Sequence, residues 1–346
     1  MDCALLKKAE IAISCAREMR MSSSLSHFTR GETFEDLNAI IRQGFNACTP
    51  LNNHKTQLMR SILVPTDFSK YAYYAAEVAA SIAKKTGARV YLLHAIEIPT
   101  YSANDSFGEG ANTAEGLFML KRAKMEFEKL IQQPFFNEVN VIEILQWENV
   151  YDIISDKAQE HEIDLIVMGS QGASGAKEFF IGSNTEKIIR TAHCPVLTVK
   201  EKMEKFEPKD VVFASNFYGV ASAVFAPLMN LLDLFGAKVH LLKVITPAEF
   251  ETTDYTEKLM ADFIAKTGVK NYTTNIWNDT MAEDGIHEFA DRIGADMISM
   301  ETHGRTGLAH FFRQSLTEDV ANHSHLPILS QRIELPKKKR GAIFPD

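Results

Sequence analysis

One stretch, residues 163–200, constrains what the rest of the chain can do. Asp164 to Met168 (DLIVM) reads as a strand, residues 169–182 (GSQGASGAKEFFIG) as a loop, and SNTEKIIRTA from Ser183 as a helix, followed by HCPVLTVK. The spacing Gly169-x2-Gly172-x9-Gly182-Ser183 leaves a strand through two glycines and enters a helix through a third glycine and a hydroxyl. A helix N-terminus carries unpaired N–H groups and the positive end of the macrodipole, so an anion beside it is stabilised. Gly169 and Gly172 lack a Cβ, which lets the backbone take φ > 0 and bring its amides close to a ligand. Gly182 is expected to do the same just before the helix, with Ser183 adding an amide and a hydroxyl. The same letters have a second reading, because Ser183-x-x-Glu186 is also a capping box that is favourable with no ligand present.

The chain has 346 residues, enough for two domains that each bury a core. A charged fraction of 24% beside 45% hydrophobic residues fits a globular protein, and a formal net charge of -8 lacks the basic footprint of a nucleic-acid binder. Cys3, Cys15, Cys48 and Cys194 show no CxxC spacing, which argues against a disulfide framework or structural zinc and for a reducing compartment. No apolar run approaches the ~18–20 residues of a membrane span. The start, with Lys7 and Lys8 before AEIAISCAREM, meets charge too soon for a signal-peptide core, so a cytoplasmic protein is expected.

Residues 1–58 mix a mildly helical start with polar stretches and are assigned no function. From there the pattern predicts a strand over 61–68 broken by Pro65, a helix over 71–83 ended by Gly87, and a strand over 90–95. A helix over 114–131, a strand over 139–145, a helix over 150–160 and strands at 164–168 and 196–199 follow. Strands alternating with helices imply a parallel sheet covered on both faces, with ligands in the crevice at the carboxyl ends of the strands.

The pattern then repeats. DVVFASNF (210–217) aligns with SILVPTDF at an offset of 149, and FGAKVHLLKV (235–244) keeps that register against TGARVYLLHA. Residues 295–320 align with 163–188 at an offset of 132. The drop of 17 places a lost loop in the region matching SANDSFGEGANT. The expected organisation is a first domain at 59–200, a charged linker at 201–209, a second domain at 210–332 and a basic tail at 333–346.

The run MGSQGASGAKEFFIGSNTEKIIRTAHCPVLTVK resembles the ATP-binding motif and closing strand of the universal stress protein family. ILVPTDFS (62–69) and VYLLHAIEIP (90–99) resemble that family's first and second strands. The resemblance covers residues 59–200, with a weaker copy over about 209–332. It implies two tandem Rossmann-like domains of the adenine-nucleotide alpha-hydrolase-like type, each a five-stranded parallel sheet of order 3-2-1-4-5.

The resemblance also implies roles. Pro65 and Thr66 shape the exit of the first strand, and Asp67 meets the adenosine or a phosphate-bound cation such as Mg. Ala95 and Ile96 line the adenine slot. Gly169, Ser170 and Gly172 wrap ribose and α-phosphate through their amides, and Gly182, Ser183 and Asn184 hold the β- and γ-phosphates. Domains of this kind pair through their last strands, so 196–199 and 328–330 are expected to pack as an intramolecular pseudo-dimer. A homodimer of whole chains is left open.

In the second copy Glu301 stands for Gly169, Gln314 for Gly182 and Asn216 for Asp67, while Gly304, Gly307 and Ser315 survive. A carboxylate repels phosphate and a glutamine adds a Cβ where backbone approach is needed, so this copy is expected not to bind ATP in the family manner. His323-Ser-His325 lacks neighbouring cysteines or clustered carboxylates, and reads as a surface pair rather than a metal site. The chain lacks G-x4-GK[ST] and other adenylate-enzyme signatures, so a binding module is favoured over catalysis. A slow ATP hydrolase and a non-nucleotide scaffold are the alternatives.

Overall fold

The apolar run after Arg60 becomes strand β1, Ser61–Pro65, whose first four residues are buried. In a computed structural model of the chain, the described residues are 59–96, 113–170, 182–203, 205–218, 221–303 and 316–333, within one compact unit, Leu58–Asp346. The N-terminal extension, the SANDSFGEGANT loop up to Asn112, Gly172, Gln314 and the basic tail lie outside them.

After β1 come α1 (Lys70–Thr86), β2 (Arg89–Ala95), α2 (Ala114–Ile131), β3 (Val141–Gln146), α3 (Val150–Glu160), β4 (Leu165–Gly169), α4 (Ser183–Thr191) and β5 (Val196–Val199). The second half repeats them as β6 (Asp210–Ala214), α5 (Ala221–Phe235), β7 (Lys238–Ile245), α6 (Thr253–Thr267), β8 (Tyr272–Asn278), α7 (Ala282–Ile293), β9 (Met297–His303), α8 (Leu316–His323) and β10 (Ile328–Ile333). Side-chain and glycine caps set several boundaries. Ser69, Thr113 and Asn149 each accept a hydrogen bond from a first-turn amide, and Gly87 closes α1 in the left-handed conformation at φ 73°.

All strands join one sheet in the order β3-β2-β1-β4-β5-β10-β9-β6-β7-β8. Each half is parallel with the order 3-2-1-4-5, as expected, and the halves meet through antiparallel β5 and β10, with Leu197 opposite Leu329. Those two leucines are 0% and 3% exposed and belong to one apolar core that continues across the seam on that face of the sheet. Burying a leucine stabilises by about 1.5–3 kcal/mol, so the seam is held as a domain interior is. Arg332 on β10 adds a bond from Nη1 to the Thr191 carbonyl at the end of α4, 3.1 Å away. Each half also clamps the start of its first strand. Asp164 accepts from the amides of Arg60 and Ser61, and Asp296 from those of Lys209 and Asp210.

Three expectations need correction. Strand β1 stops at Pro65 because the chain turns there through Phe68 at φ 61°. Strand β3 starts at Val141 rather than 139, because a 3-10 turn at Pro134–Phe136 and a left-handed Glu138 intervene. The shortening of the second copy is not confined to one loop. The link from β2 to α2 spans residues 96–113 and its counterpart 246–252, while α2 has 18 residues against 15 in α6. The link into the third strand also shrinks, from residues 132–140 to 268–271.

Candidate nucleotide crevice

The exits of β1 and β4 are neighbours, since Leu63 pairs with Ile166 in the sheet. Pro65, Thr66 and Asp67 leave β1, while Gly169 and Ser170 end β4, so two distant segments meet at one edge of the sheet. Thr66 is buried, and its Oγ1 accepts from the Phe68 amide at 3.0 Å. Asp67 is exposed, and its Oδ1 accepts from the Ser69 amide at 3.0 Å, which fixes the turn into α1. Ala95 ends the neighbouring β2; Ile96 is 4% exposed and donates its amide to the Gln146 carbonyl.

The third segment is the start of α4. Its N-cap is Gly182 at φ -64°, with no side-chain cap, so the Ser183-x-x-Glu186 capping box does not form. Ser183 is instead the first helical residue, and Glu186 pairs with Arg190 at 2.8 Å. The first amide bonded inside the helix is that of Glu186, to the Gly182 carbonyl. The amides of Ser183, Asn184 and Thr185 therefore have no intrahelical acceptor, and the side chains of Ser183 and Asn184 are exposed. Thr185 is 4% exposed and donates its hydroxyl to the Gly169 carbonyl at 3.0 Å, tying the helix start to the end of β4.

The glycines work differently from the expectation. Neither Gly169 nor Gly182 has positive φ. A Cβ on Gly169 would come within 2.8 Å of the Tyr71 carbonyl carbon, so glycine there lets α1 lie against the end of β4. The amide of Ser170 is committed to the Val199 carbonyl, and that of Gly182 to the Ser170 carbonyl at 2.7 Å. Among the described residues at this edge, the N–H groups without an intrahelical acceptor are those of the first turn of α4. The Ser170 hydroxyl, buried and without a partner among the described residues, adds one polar group at the same place.

Two residues that sequence reasoning passed over complete this edge. The His94 ring bonds the Thr66 carbonyl through Nδ1 at 2.7 Å and lies 4.5 Å from the Phe68 ring. Burial holds its pKa below the usual imidazole value. Thr185 is the other. A histidine in YLLHA and a threonine in SNTEK carry no local signal, because their partners lie 28 and 16 residues away.

The second half keeps the frame and changes the contents. The Ser215 hydroxyl accepts from the Phe217 amide, Phe217 repeats φ 61°, and Asn216 accepts from the Tyr218 amide. Thr317 donates to the Glu301 carbonyl as Thr185 does to that of Gly169. Glu301 is 9% exposed and accepts from the Ser215 hydroxyl at 2.7 Å, while its Oε2 is buried without a partner. Burial pushes this carboxyl up to about 7. Lys243, in register with His94, donates to the Asn216 carbonyl at 3.0 Å and pairs with Glu251 at 2.9 Å. Burial lowers its ammonium to about 8, against the pull of the Glu249 carboxylate. Glu251 also accepts from Tyr218 and Thr256, so these side chains link the first-strand exit to the segment before α6.

Elsewhere, His323 faces Glu283 and His325 faces Glu201. Among the described residues no three His, Cys, Asp or Glu side chains gather to hold a metal ion, and no helix is long and apolar enough to cross a membrane. A cavity of about 500 Å³ beside the seam is lined by Lys200, Lys202, Lys205, Glu201 and His325. Much of its charge is internally matched, His325 by Glu201 and Lys205 by Glu207.

Comparison with known proteins agrees with this architecture. A universal stress protein of Methanocaldococcus jannaschii is 30% identical over 165 residues, covering 48% of this chain and 89% of that protein. One from Thermus aquaticus is 31% identical over 144 residues, covering 41% and 100%. The crystal structure of a universal stress protein from Archaeoglobus fulgidus superposes with a TM-score of 0.61 at 19% identity, covering 79% of this chain and 96% of that one, and so shares the fold. The profile of the universal stress protein family matches residues 59–200 and again 220–330, and the chain belongs to that family as a tandem of two such domains.

Proposed function

We propose that the first half binds ATP at the crevice between the β1 exit, the β4 exit and the start of α4, and that the protein acts as a nucleotide-responsive module in the cytoplasm. The observation that carries this reading is the uncapped start of α4, fastened to β4 by Thr185 with three first-turn amides left over. Such a terminus lowers the energy of a phosphate by its dipole and its donors together. Asp67 stands across the edge, on the turn after β1, to meet the adenosine part or a phosphate-bound Mg ion. Pro65, Thr66, Ala95 and Ile96 form the adenine side. Gly169 and Ser170 close the ribose side with Gly172, which lies outside the described residues.

The bound nucleotide acts by favouring one state of the protein toward a partner rather than by being consumed. Asp67 is the carboxylate on the turn after β1, and the chain has no G-x4-GK[ST] lysine cradle to accompany it. The test is calorimetric titration of the full chain with ATP and Mg. Gly182→Gln, copying the second half, is expected to remove measurable binding. The backbone at Gly182, φ -64° and ψ 145°, suits any residue, so the fold should persist. Undiminished binding in that variant would overturn the reading.

A further inference from the structure

At the amino ends of the strands in the second half of the sheet, away from the crevice, three side chains on neighbouring strands form a directional chain. Asp210 opens β6, His240 is the third residue of β7 and Thr273 the second of β8. His240 Nε2 lies 2.9 Å from Asp210 Oδ1, and His240 Nδ1 lies 2.8 Å from Thr273 Oγ1. Asp210 is an acceptor, so Nε2 carries the proton and Nδ1 presents its lone pair to the threonine hydroxyl. Asn275 Nδ2 donates to the same Oγ1 at 3.0 Å and holds it in place.

This arrangement is peculiar to the second half. The strand registers put Ser61, Tyr91 and Ile142 at the corresponding places of the first. A carboxylate that orients an imidazole, which in turn faces a hydroxyl within hydrogen-bond reach, is the arrangement that activates a nucleophile. Access and charge also suit the chemistry. The imidazole is 8% exposed beside Phe289, whereas Thr273 is partly exposed on β8, the last strand of the sheet. The amide of Val239 bonds the Asn271 carbonyl and that of Asp279 bonds the Ile245 carbonyl, so odd-numbered residues of β8 face β7. Thr274, next to Thr273, is an exposed residue, and its amide thus points to the free edge, where it can donate to a developing oxyanion.

We propose that Asp210, His240 and Thr273 form a second, nucleotide-independent site that cleaves small activated esters by acyl transfer through Thr273. Thr273 Oγ attacks the ester carbonyl carbon as its proton passes to His240 Nδ1. The tetrahedral adduct collapses, the carbonyl–oxygen bond to the leaving group breaks, and His240 returns the proton to release an alcohol. Water, deprotonated by His240, then cleaves the acyl–threonine bond, giving a carboxylic acid and restoring the hydroxyl. Asp210 holds the ring through Nε2 throughout and stabilises the imidazolium.

The experiment treats the full chain with a fluorophosphonate probe and with p-nitrophenyl acetate, and maps any adduct by peptide mass spectrometry. The wild type should carry the adduct on Thr273. Labelling should slow at least tenfold in His240→Gln, vanish in Thr273→Val and persist at that position in Thr273→Ser. Asp210→Asn should lower the rate and shift its pH profile, a readout that a packing role would not move. Gly182→Gln should leave labelling unchanged, which separates this site from the crevice. A wild-type chain with no adduct on Thr273, or a rate that His240→Gln does not alter, overturns the proposal, and the wild-type mapping decides even if a variant fails to fold.

Discussion

The two crevices share a frame and differ in what fills it. Both first-strand exits turn through a left-handed phenylalanine, and both last helices are tied by a buried threonine to the carbonyl of one residue on the fourth strand. In the first half that residue is Gly169, with no side chain. In the second it is Glu301, whose carboxyl is buried against Ser215, and nearby Lys243, Glu251 and Tyr218 bind one another. A parallel sheet of this topology leaves a crevice at the carboxyl ends of its strands, and the side chains at a few positions set what fills it.

The comparison breaks most readily at the α4 start. Gly182→Gln should lower ATP affinity by at least a hundredfold in titration of the full chain with unchanged thermal unfolding, and Asp67→Ala should lower it less, with a loss of about 1 kcal/mol in stability from the lost bond to the Ser69 amide. Next in size is Gly169→Ala. With Tyr71 backbone atoms within 3 Å of the added Cβ, α1 has to shift, at a cost of about 1–3 kcal/mol in chemical denaturation. A smaller loss would mean that α1 yields easily.

Glu301 sharpens the contrast through pH. Its folded-state pKa of about 7 is raised above the ordinary carboxylate value, so the native state prefers the proton. Stability from this group is fully present below about pH 4.5 and is lost as pH rises through 7, by about 3 kcal/mol in all. Glu301→Gln should flatten that dependence in denaturation curves taken from pH 4.5 to 8, and an unchanged slope would contradict the assignment. Lys243 acts in the opposite sense. Its lowered pKa, about 8, penalises the folded state below that pH and the penalty is relieved as pH rises from 8 toward 10.5. Lys243→Met should remove this alkaline rise. The smallest effect is expected for Ser170→Ala, within about 1 kcal/mol, because the hydroxyl has no partner to lose.

Much of the fold was legible in the chain because its determinants are local. The helices 114–131 and 150–160 fall where the pattern places them, and Gly87 ends α1 as a left-handed glycine should. The strand order and the seam through β5 and β10 followed from the internal repeat together with the family resemblance. The purpose of individual residues was less legible. Gly169 suggested a backbone that bends toward a ligand, whereas its lack of a side chain serves the contact with Tyr71, 98 positions away in sequence. Ser183 suggested a cap, yet the helix begins one residue earlier in its hydrogen bonding and leaves that serine exposed. The burial of Glu301 and the Asp210–His240–Thr273 chain depend on neighbours brought together by the sheet, which no local pattern encodes.

The most direct measurement of the central claim is the stoichiometry of ATP binding to the full chain, read by native mass spectrometry and by calorimetry in the presence of Mg. One nucleotide per chain, reduced to none by Gly182→Gln, is the expected result. Two nucleotides per wild-type chain, or one that survives the substitution, would show that the second crevice is open and contradict the account.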